Sequence, residues 1–106
     1  MACLSSKYRN VRTEVDGITF ASKREAKRYS ELKLLERGKQ ISGLTLQPRY
    51  PLVVNGHKVC TYVGDFLYHE RGKLVCEDTK GMRTDAYGIK RKLFMALWPQ
   101  IEHREV

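Results

Sequence analysis

Two aspartates and a lysine near the middle of the chain have the types and spacing that metal-dependent chemistry needs. Pairing across a turn centred on Arg71-Gly72 places residue 70 opposite residue 73 and, further along, Asp65 opposite Asp78. Opposed residues have Cβ atoms about 4.5–5.5 Å apart, and like charges there destabilise a sheet. Period-two alternation places Lys80 on the same face as Asp78. A cation bound between the carboxylates would remove their repulsion.

The same residues also have a purely structural interpretation. Asp65 follows Gly64 and would then mark a strand irregularity, while Asp78 and Lys80 would form a surface ion pair worth at most about 1 kcal/mol. A register slip of one residue would place the two aspartates on opposite faces. Glu77 is acidic too, but its parity directs it to the face opposite Asp78.

The hairpin belongs to a predicted β region. Strands are predicted at 44–47, 52–54, 59–68 and 73–79, with a break at 48–51 and a hairpin turn at Asn55-Gly56. The region is predicted to form three antiparallel strands. The turn register places Gln47 away from Asp65.

A helix is predicted before these strands. Ser22 followed by Glu25 three residues later is a capping box, and Gly38 marks the end of the helix. The expected core stripe comprises Ala26, Tyr29, Leu32 and either Leu35 or Leu34. Asp16-Gly17 predicts a short hairpin ahead of the helix.

A second helix is predicted after Gly81. Thr84 is its expected N-cap and Pro99 its stop, with an apolar stripe of Ile89, Leu93, Ala96 and Leu97. A short strand at 101–106 follows. The predicted class is therefore α/β, with a mixed central sheet flanked by helices and the order helix, three antiparallel strands, helix, strand.

Composition indicates one domain and an anionic partner. The chain has 106 residues with 20 Lys and Arg against 12 Asp and Glu, a net charge of +8. We expect a basic arm at 1–12 and a single domain at 13–106. No apolar stretch is long enough to span a bilayer and residues 1–19 lack a signal-peptide core, so a soluble, cytoplasmic protein without a membrane partner is expected. The cysteines and histidines show no metal-ligand spacing.

Two basic clusters are candidate phosphate contacts. The first half of the first helix carries Lys23, Arg24, Lys27 and Arg28, and the second helix carries Lys90, Arg91 and Lys92. Cations in a first helical turn oppose the helix dipole, which favours an external anion over a merely solvated face for the first cluster. For the second cluster, a solvated face explains the charges almost as well.

These motifs resemble the PD-(D/E)xK nuclease superfamily. The resemblance rests on V-G-D-F at 63–66, C-E-D-T-K-G at 76–81 and an acidic residue in the preceding helix. Asp65 matches the first Asp, Asp78 the acidic residue of (D/E)xK, Lys80 its Lys, and Glu25 the helical acid. Gly64 stands where the superfamily has Pro.

A longer similarity covers residues from about 7 to 106. The string K-Y-R-N…V-D-G-I-T-F-A-S-K-R-E-A-K-R-Y, with L-Q-P-R-Y and Y-G-I-K-R-K-L-F, is similar to small phage and prophage nucleases that look like Holliday-junction resolvases. The resemblance implies a restriction-endonuclease-like core and an Mg²⁺-dependent DNA endonuclease acting on branched DNA, with Mn²⁺ as a substitute ion. If the chain is phage-encoded, it acts in the cytoplasm of the bacterial host.

The resemblance also implies roles for single residues. Asp65, Asp78 and the backbone carbonyl of Thr79 would bind Mg²⁺, which prefers oxygen ligands. Lys80 would position or deprotonate the attacking water and stabilise charge on the phosphate. Glu25 would join the metal site, with helix capping as its equal alternative.

Three alternatives concern activity and assembly. A non-catalytic nucleic-acid-binding protein would use the same basic surface without needing opposed carboxylates. A nicking or restriction-type nuclease on duplex DNA is disfavoured because 106 residues leave no room for a recognition domain. A homodimer is expected because resolving a junction takes two symmetric cuts.

Overall fold

The computed structural model describes residues 11–79 and 84–106, which contain eight strands and two helices. Most of the expected arm at 1–12, and Lys80 with residues 81–83, lie outside these ranges. The elements in chain order are β1 (Thr13–Val15), β2 (Ile18–Phe20), α1 (Lys23–Arg37), β3 (Ser42–Leu46), β4 (Arg49–Val54), β5 (His57–Val63), β6 (Phe66–Glu70), β7 (Lys73–Asp78), α2 (Asp85–Leu97) and β8 (Ile101–Glu105).

A four-stranded mixed sheet lies at the centre of the fold. Its order is β3-β6-β7-β8, with β8 parallel to β7 and the other pairs antiparallel. Helix α1 packs on one face, around Tyr29, Leu32 and Phe66. Helix α2 and the β4–β5 hairpin pack on the other face, around Tyr62 and Phe94. The α/β class with a mixed sheet and two helices is confirmed.

The β6–β7 hairpin has the predicted register. Phe66 pairs with Glu77 and Glu70 with Lys73, across a turn at Arg71-Gly72 with φ angles of 54° and 77°. These left-handed angles suit the two-residue turn. The last pair of the ladder is Phe66 with Glu77, and the Asp65 N–H then donates to Glu77 O at 2.9 Å, so the expected pairing of Asp65 with Asp78 lies one residue beyond the regular ladder.

The predicted strand at 59–68 is wrong, because the structure divides it into β5 and β6. The division falls at Gly64 and Asp65. Gly64 lies so close to β7 that a Cβ atom on it would meet Cys76 Sγ at 2.5 Å, and its N–H donates to Pro48 O at 3.0 Å. Strand β5 pairs only with β4, in a two-stranded ribbon outside the central sheet. The predicted break at 48–51 is also too long, since β4 begins at Arg49.

Helix α1 follows its predicted capping and burial. The Ser22 side chain accepts a hydrogen bond from Glu25 N at 3.1 Å, and the helix ends at Arg37 before Gly38. Its buried side chains are Ala26, Tyr29 and Leu32; Leu35 is half-buried and Leu34 is exposed. The β1–β2 hairpin precedes it as predicted.

Helix α2 has the predicted N-cap but not the predicted stripe. Thr84 Oγ1 accepts from Tyr87 N at 3.1 Å. Ile89 is 67% exposed, whereas Phe94 is fully buried against the aromatic rings of Tyr50 and Tyr62. Ala96 and Leu97 are exposed and Leu93 is half-buried. The aromatic residues of the β4–β5 hairpin, rather than the helix periodicity alone, select the buried face. Neither helix in the described ranges has the length and apolarity to cross a membrane.

Candidate active site

Asp65 is held at the carboxyl end of β7 by backbone and side-chain bonds. Its N–H donates to Glu77 O at 2.9 Å, and its carbonyl oxygen accepts from Gln47 N at 3.0 Å. Its carboxylate Oδ2 accepts from both Thr79 N and Thr79 Oγ1, each at 2.7 Å. The prediction that Gln47 lies away from Asp65 is wrong, because β3 pairs directly with β6 and so ends beside Asp65.

Asp78 is fully buried on the α2 side of the sheet. The Tyr62 hydroxyl donates a short hydrogen bond to Asp78 Oδ2, and Tyr62 Oη lies 2.6 Å from His103 Nε2. Because the Tyr62 proton is directed at Asp78, His103 Nε2–H must donate to the Tyr62 oxygen. Burial, followed by the hydrogen bond to Asp78, raises the pKa of Tyr62. His103, Tyr62 and Asp78 thus form a chain of directed hydrogen bonds.

Glu77 points to the α1 side, as its parity predicts. It is fully buried, and Arg28 of α1 donates to both carboxylate oxygens, Nε to Oε1 at 2.8 Å and Nη2 to Oε2 at 2.6 Å. The Tyr68 hydroxyl donates a short hydrogen bond to Glu77 Oε2. The hydrogen bond to Glu77 raises the pKa of Arg28. Glu77 is therefore a structural acid with its own cationic partner.

The buried thiol of Cys76 lies two residues before Asp78 on β7. Burial, followed by the negative charges of Asp78, Asp65 and Glu77, raises the pKa of Cys76 to about 12. Asp65, Asp78 and Thr79 are brought together at the end of β7.

Glu25 and Lys80 are the other two predicted catalytic residues. Glu25 lies half-buried in the first turn of α1, the helix that covers the Glu77 side of the sheet. Lys80 falls outside the described ranges. Within residues 11–79 and 84–106, no three His, Cys, Asp or Glu side chains form a group able to hold a metal ion.

Two clefts adjoin the end of β7, one on each side of the sheet. The α1 cleft, of about 180 Å³, is lined by Arg24, Lys27, Arg28, Glu31, Thr79 and Val106. The α2 cleft, of about 270 Å³, is lined by residues that include Thr61, Tyr62, Val63, Tyr87 and Lys90. Each predicted basic cluster therefore contributes to one cleft.

The other members of the basic clusters are either exposed outside the clefts or close to protein carboxylates. Lys23 and Lys92 are exposed and line neither cleft. Arg91 is half-buried, with its Nε 3.8 Å from Glu105 Oε2. Arg28 lines the α1 cleft but pairs with Glu77 and Glu31. These contacts separate cations bound to protein carboxylates from cations available to an external anion.

Sequence reasoning missed Tyr62 and His103. The alternation along β5 directs Tyr62 inward, but only the return of β8 beside β7 brings His103 to it, through the pairing of His103 with Cys76. A lone histidine in the sequence carries no signal of that contact.

The comparisons give a family but no characterised relative. A family model described as "Protein of unknown function (DUF1064)" matches residues 5–106. No curated protein matches the sequence.

Proposed function

The chain belongs to the DUF1064 family of unknown function, and we propose that it is an Mg²⁺-dependent endonuclease acting on branched DNA. The proposal includes a restriction-endonuclease-like core. In support, α1 precedes the antiparallel strands β3, β6 and β7, and α2 then leads to β8, parallel to β7. The β4–β5 hairpin is an insertion into that order.

The observation that carries the proposal is the position of Asp65 beside the end of β7. Its carboxylate accepts hydrogen bonds from the N–H and the hydroxyl of Thr79, the residue that follows the buried Asp78. A protein gains no stability from concentrating two carboxylates in this way, since like charges repel. A function that uses negative charge explains the arrangement.

The donor set suits Mg²⁺. Mg²⁺ is usually bound through one or two carboxylates, with waters and substrate phosphates completing its octahedral shell, so a cage of three protein acids is not required. Asp65, Asp78 and the Thr79 carbonyl would hold the ion, with Mn²⁺ as a substitute. The ion supplies Lewis-acid activation of water and of the phosphate. Lys80 would orient the attacking water, and Glu25 would contribute from α1.

A non-catalytic DNA-binding protein is the second candidate. The two cation-lined clefts favour it, because phosphate contacts alone would explain them. Opposed carboxylates would weaken such binding, which is why we place the nuclease first. A homodimer and a cytoplasmic site of action are parts of the first proposal.

Cleavage assays separate the two candidates. The pure protein is incubated with labelled four-way junction, flap, single-stranded and duplex DNA, with and without Mg²⁺. We expect Mg²⁺-dependent cleavage, with the junction as the best substrate. D78N should abolish cleavage while preserving or strengthening DNA binding, because it removes both a ligand and a negative charge. K80A should lose cleavage and retain metal binding.

Glu14 provides a matched control, because it is an exposed acid on β1. E14Q should cleave like the parent. Equal turnover by D78N and the parent would reject the metal site, and binding without cleavage of any substrate would favour the second candidate.

A further inference from the structure

We propose that one DNA strand crosses the carboxyl end of β7 and places a backbone phosphate in each of the two flanking clefts. The inference rests on the proposed function and deepens it by giving the path of the substrate. Arg24 and Lys27 would bind one phosphate on the α1 side, and Lys90 would bind another on the α2 side. The bond to be cut would lie between them, beside Asp65 and Asp78.

The α1 cleft contains basic side chains that do not all pair with carboxylates of the described residues. It contains three basic side chains, but Arg28 is already bound to Glu77 and Glu31. Arg24 donates to a backbone oxygen of Val106 at 3.2 Å. Lys27 has no carboxylate partner among the described residues. Lys27 is therefore the basic side chain of this cleft that has no anionic partner in the described part of the chain.

The α2 cleft is lined by one basic side chain and several hydroxyl-bearing residues. Lys90 lines it, half-buried, and makes no ion pair within the ranges that the structure describes. Hydroxyl-bearing residues, Thr61, Tyr62 and Tyr87, form much of the remaining wall. Tyr87 donates its hydroxyl proton to Glu105 Oε2 at 2.7 Å. Lys90 is thus the group here that would attract a phosphate.

Each cleft shares a wall residue with the carboxylate centre. Thr79 lines the α1 cleft and donates to Asp65, while Tyr62 lines the α2 cleft and donates to Asp78. An anionic strand would be repelled from Asp65 and Asp78 unless cations stood on both sides of them. The clefts provide those cations in the required places, one set per face of the sheet.

Salt dependence of DNA binding tests the two clefts. Binding is measured with EDTA, so that no cleavage occurs. Neutralising one phosphate contact flattens the slope of log affinity against log salt by about 0.9 on duplex and about 0.7 on single strands. We expect that loss for R24Q/K27Q and separately for K90Q. The controls are K39Q and K58Q, exposed lysines outside both clefts and both basic clusters, and their slopes should match the parent.

Neutral methylphosphonate linkages, placed singly along one strand, then locate each phosphate. One position should weaken binding to the parent but not further weaken binding to R24Q/K27Q, and a second position should behave likewise with K90Q alone. The two positions should lie on opposite sides of the bond that the parent cuts with Mg²⁺.

Three results would overturn the path: control slopes that fall as much as the cleft variants, methylphosphonate losses that are the same in every variant, or both positions on one side of the cut. A protein that shows the two specific positions but cuts no DNA would keep the path and reject the nuclease. A protein that cuts DNA without them would do the reverse.

Discussion

The guanidinium of Arg28 and the carboxylate of Glu77 face each other across the contact between α1 and the sheet, joined by two hydrogen bonds of 2.8 and 2.6 Å. Glu77 is fully buried, and Asp78 beside it is bound from the opposite side by Tyr62. Two successive residues of β7 are therefore anchored to different layers of the protein. The backbone that carries the candidate site is held from both faces.

Removing Arg28 should destabilise the protein strongly. R28M leaves the Glu77 carboxylate buried, with the Tyr68 hydroxyl as its remaining hydrogen-bond partner within residues 11–79 and 84–106. Loss of one partner of a buried ion pair costs about 3–5 kcal/mol. Urea denaturation should show that loss, whereas K27M, an exposed position on the same helix, should show little. R28M/E77Q should recover much of the stability, and a double variant as unstable as R28M would contradict the pair's role.

Tyr62 should set metal affinity through Asp78. Y62F removes the hydroxyl that orients the Asp78 carboxylate, and loss of such a supporting hydrogen bond typically costs about 10–100-fold in metal affinity or activity. Calorimetric titration with Mn²⁺ measures the affinity without DNA. Y50F is the matched control, because both tyrosines pack against Phe94, with centroids 4.9 and 4.7 Å away, and the Tyr50 hydroxyl has no partner in the described ranges.

The expected pattern is weak Mn²⁺ binding by Y62F and parental binding by Y50F. Equal affinity in all three proteins would mean that Tyr62 only fills the core. Weak binding by both variants would point to packing around Phe94 instead of the hydroxyl.

The stability of the fold should decrease as the pH falls below about 6.5, the ordinary pKa of histidine. Burial, and then the positive charge of Arg91, lowers the pKa of His103, while Glu105 opposes this effect. A lowered pKa means that the unfolded chain takes up the proton first, so stability is complete above the ordinary value and is lost as the pH falls towards the folded value. The Tyr62 oxygen, on the adjacent hairpin, accepts a hydrogen bond from Nε2–H of the neutral ring.

Urea titrations between pH 8 and 5.5, values spanning the ordinary histidine pKa of about 6.5, check this dependence. H103N should be less stable at neutral pH and should lose less stability on acidification than the parent. H57N changes an exposed histidine at the hairpin tip and should keep the parental profile. Parallel profiles for H103N and the parent would assign the acid sensitivity to other groups.

Gly64 should not tolerate a side chain. In G64A the new Cβ would lie 2.5 Å from Cys76 Sγ, and overpacking of this kind typically costs about 1–3 kcal/mol. The displacement would also move the adjacent Asp65, so cleavage should decrease more than stability alone explains. C76A makes room, and G64A/C76A should therefore be more stable than the sum of the two single changes predicts. Strict additivity in urea denaturation would show that the two residues do not compete for space.

The β6–β7 register was predictable because it depends on local chemistry. Arg71-Gly72 supplies the two left-handed residues of a tight turn, and the register then follows by counting outward as far as Phe66 and Glu77. The cap of α1 at Ser22 is equally local. In each case the signal and its partner lie within a few residues or one turn of each other.

The end of β5 at Gly64 was not predictable, because apolar alternation continues through the break and only the approach of Cys76 requires it. The buried face of α2 depends on aromatic rings from the β4–β5 hairpin, which leave Ile89 outside and Phe94 inside. The Tyr62–His103 contact joins residues 41 positions apart through the crossover to β8. These features arise from packing between elements that are distant in sequence.

Strands β4 and β5 pair with each other and not with the four-stranded sheet. The hairpin that they form packs against α2. Its tip, Asn55-Gly56, is exposed and has left-handed φ angles of 51° and 79°. Extra residues inserted there would lengthen a solvent-facing loop without shifting the pairing of β6 with β7, since loop tips of this kind accept insertions. The tip is therefore the natural point at which to splice in a fluorescent label or an affinity peptide, leaving the β6–β7 pairing that leads to Asp65 and Asp78 untouched.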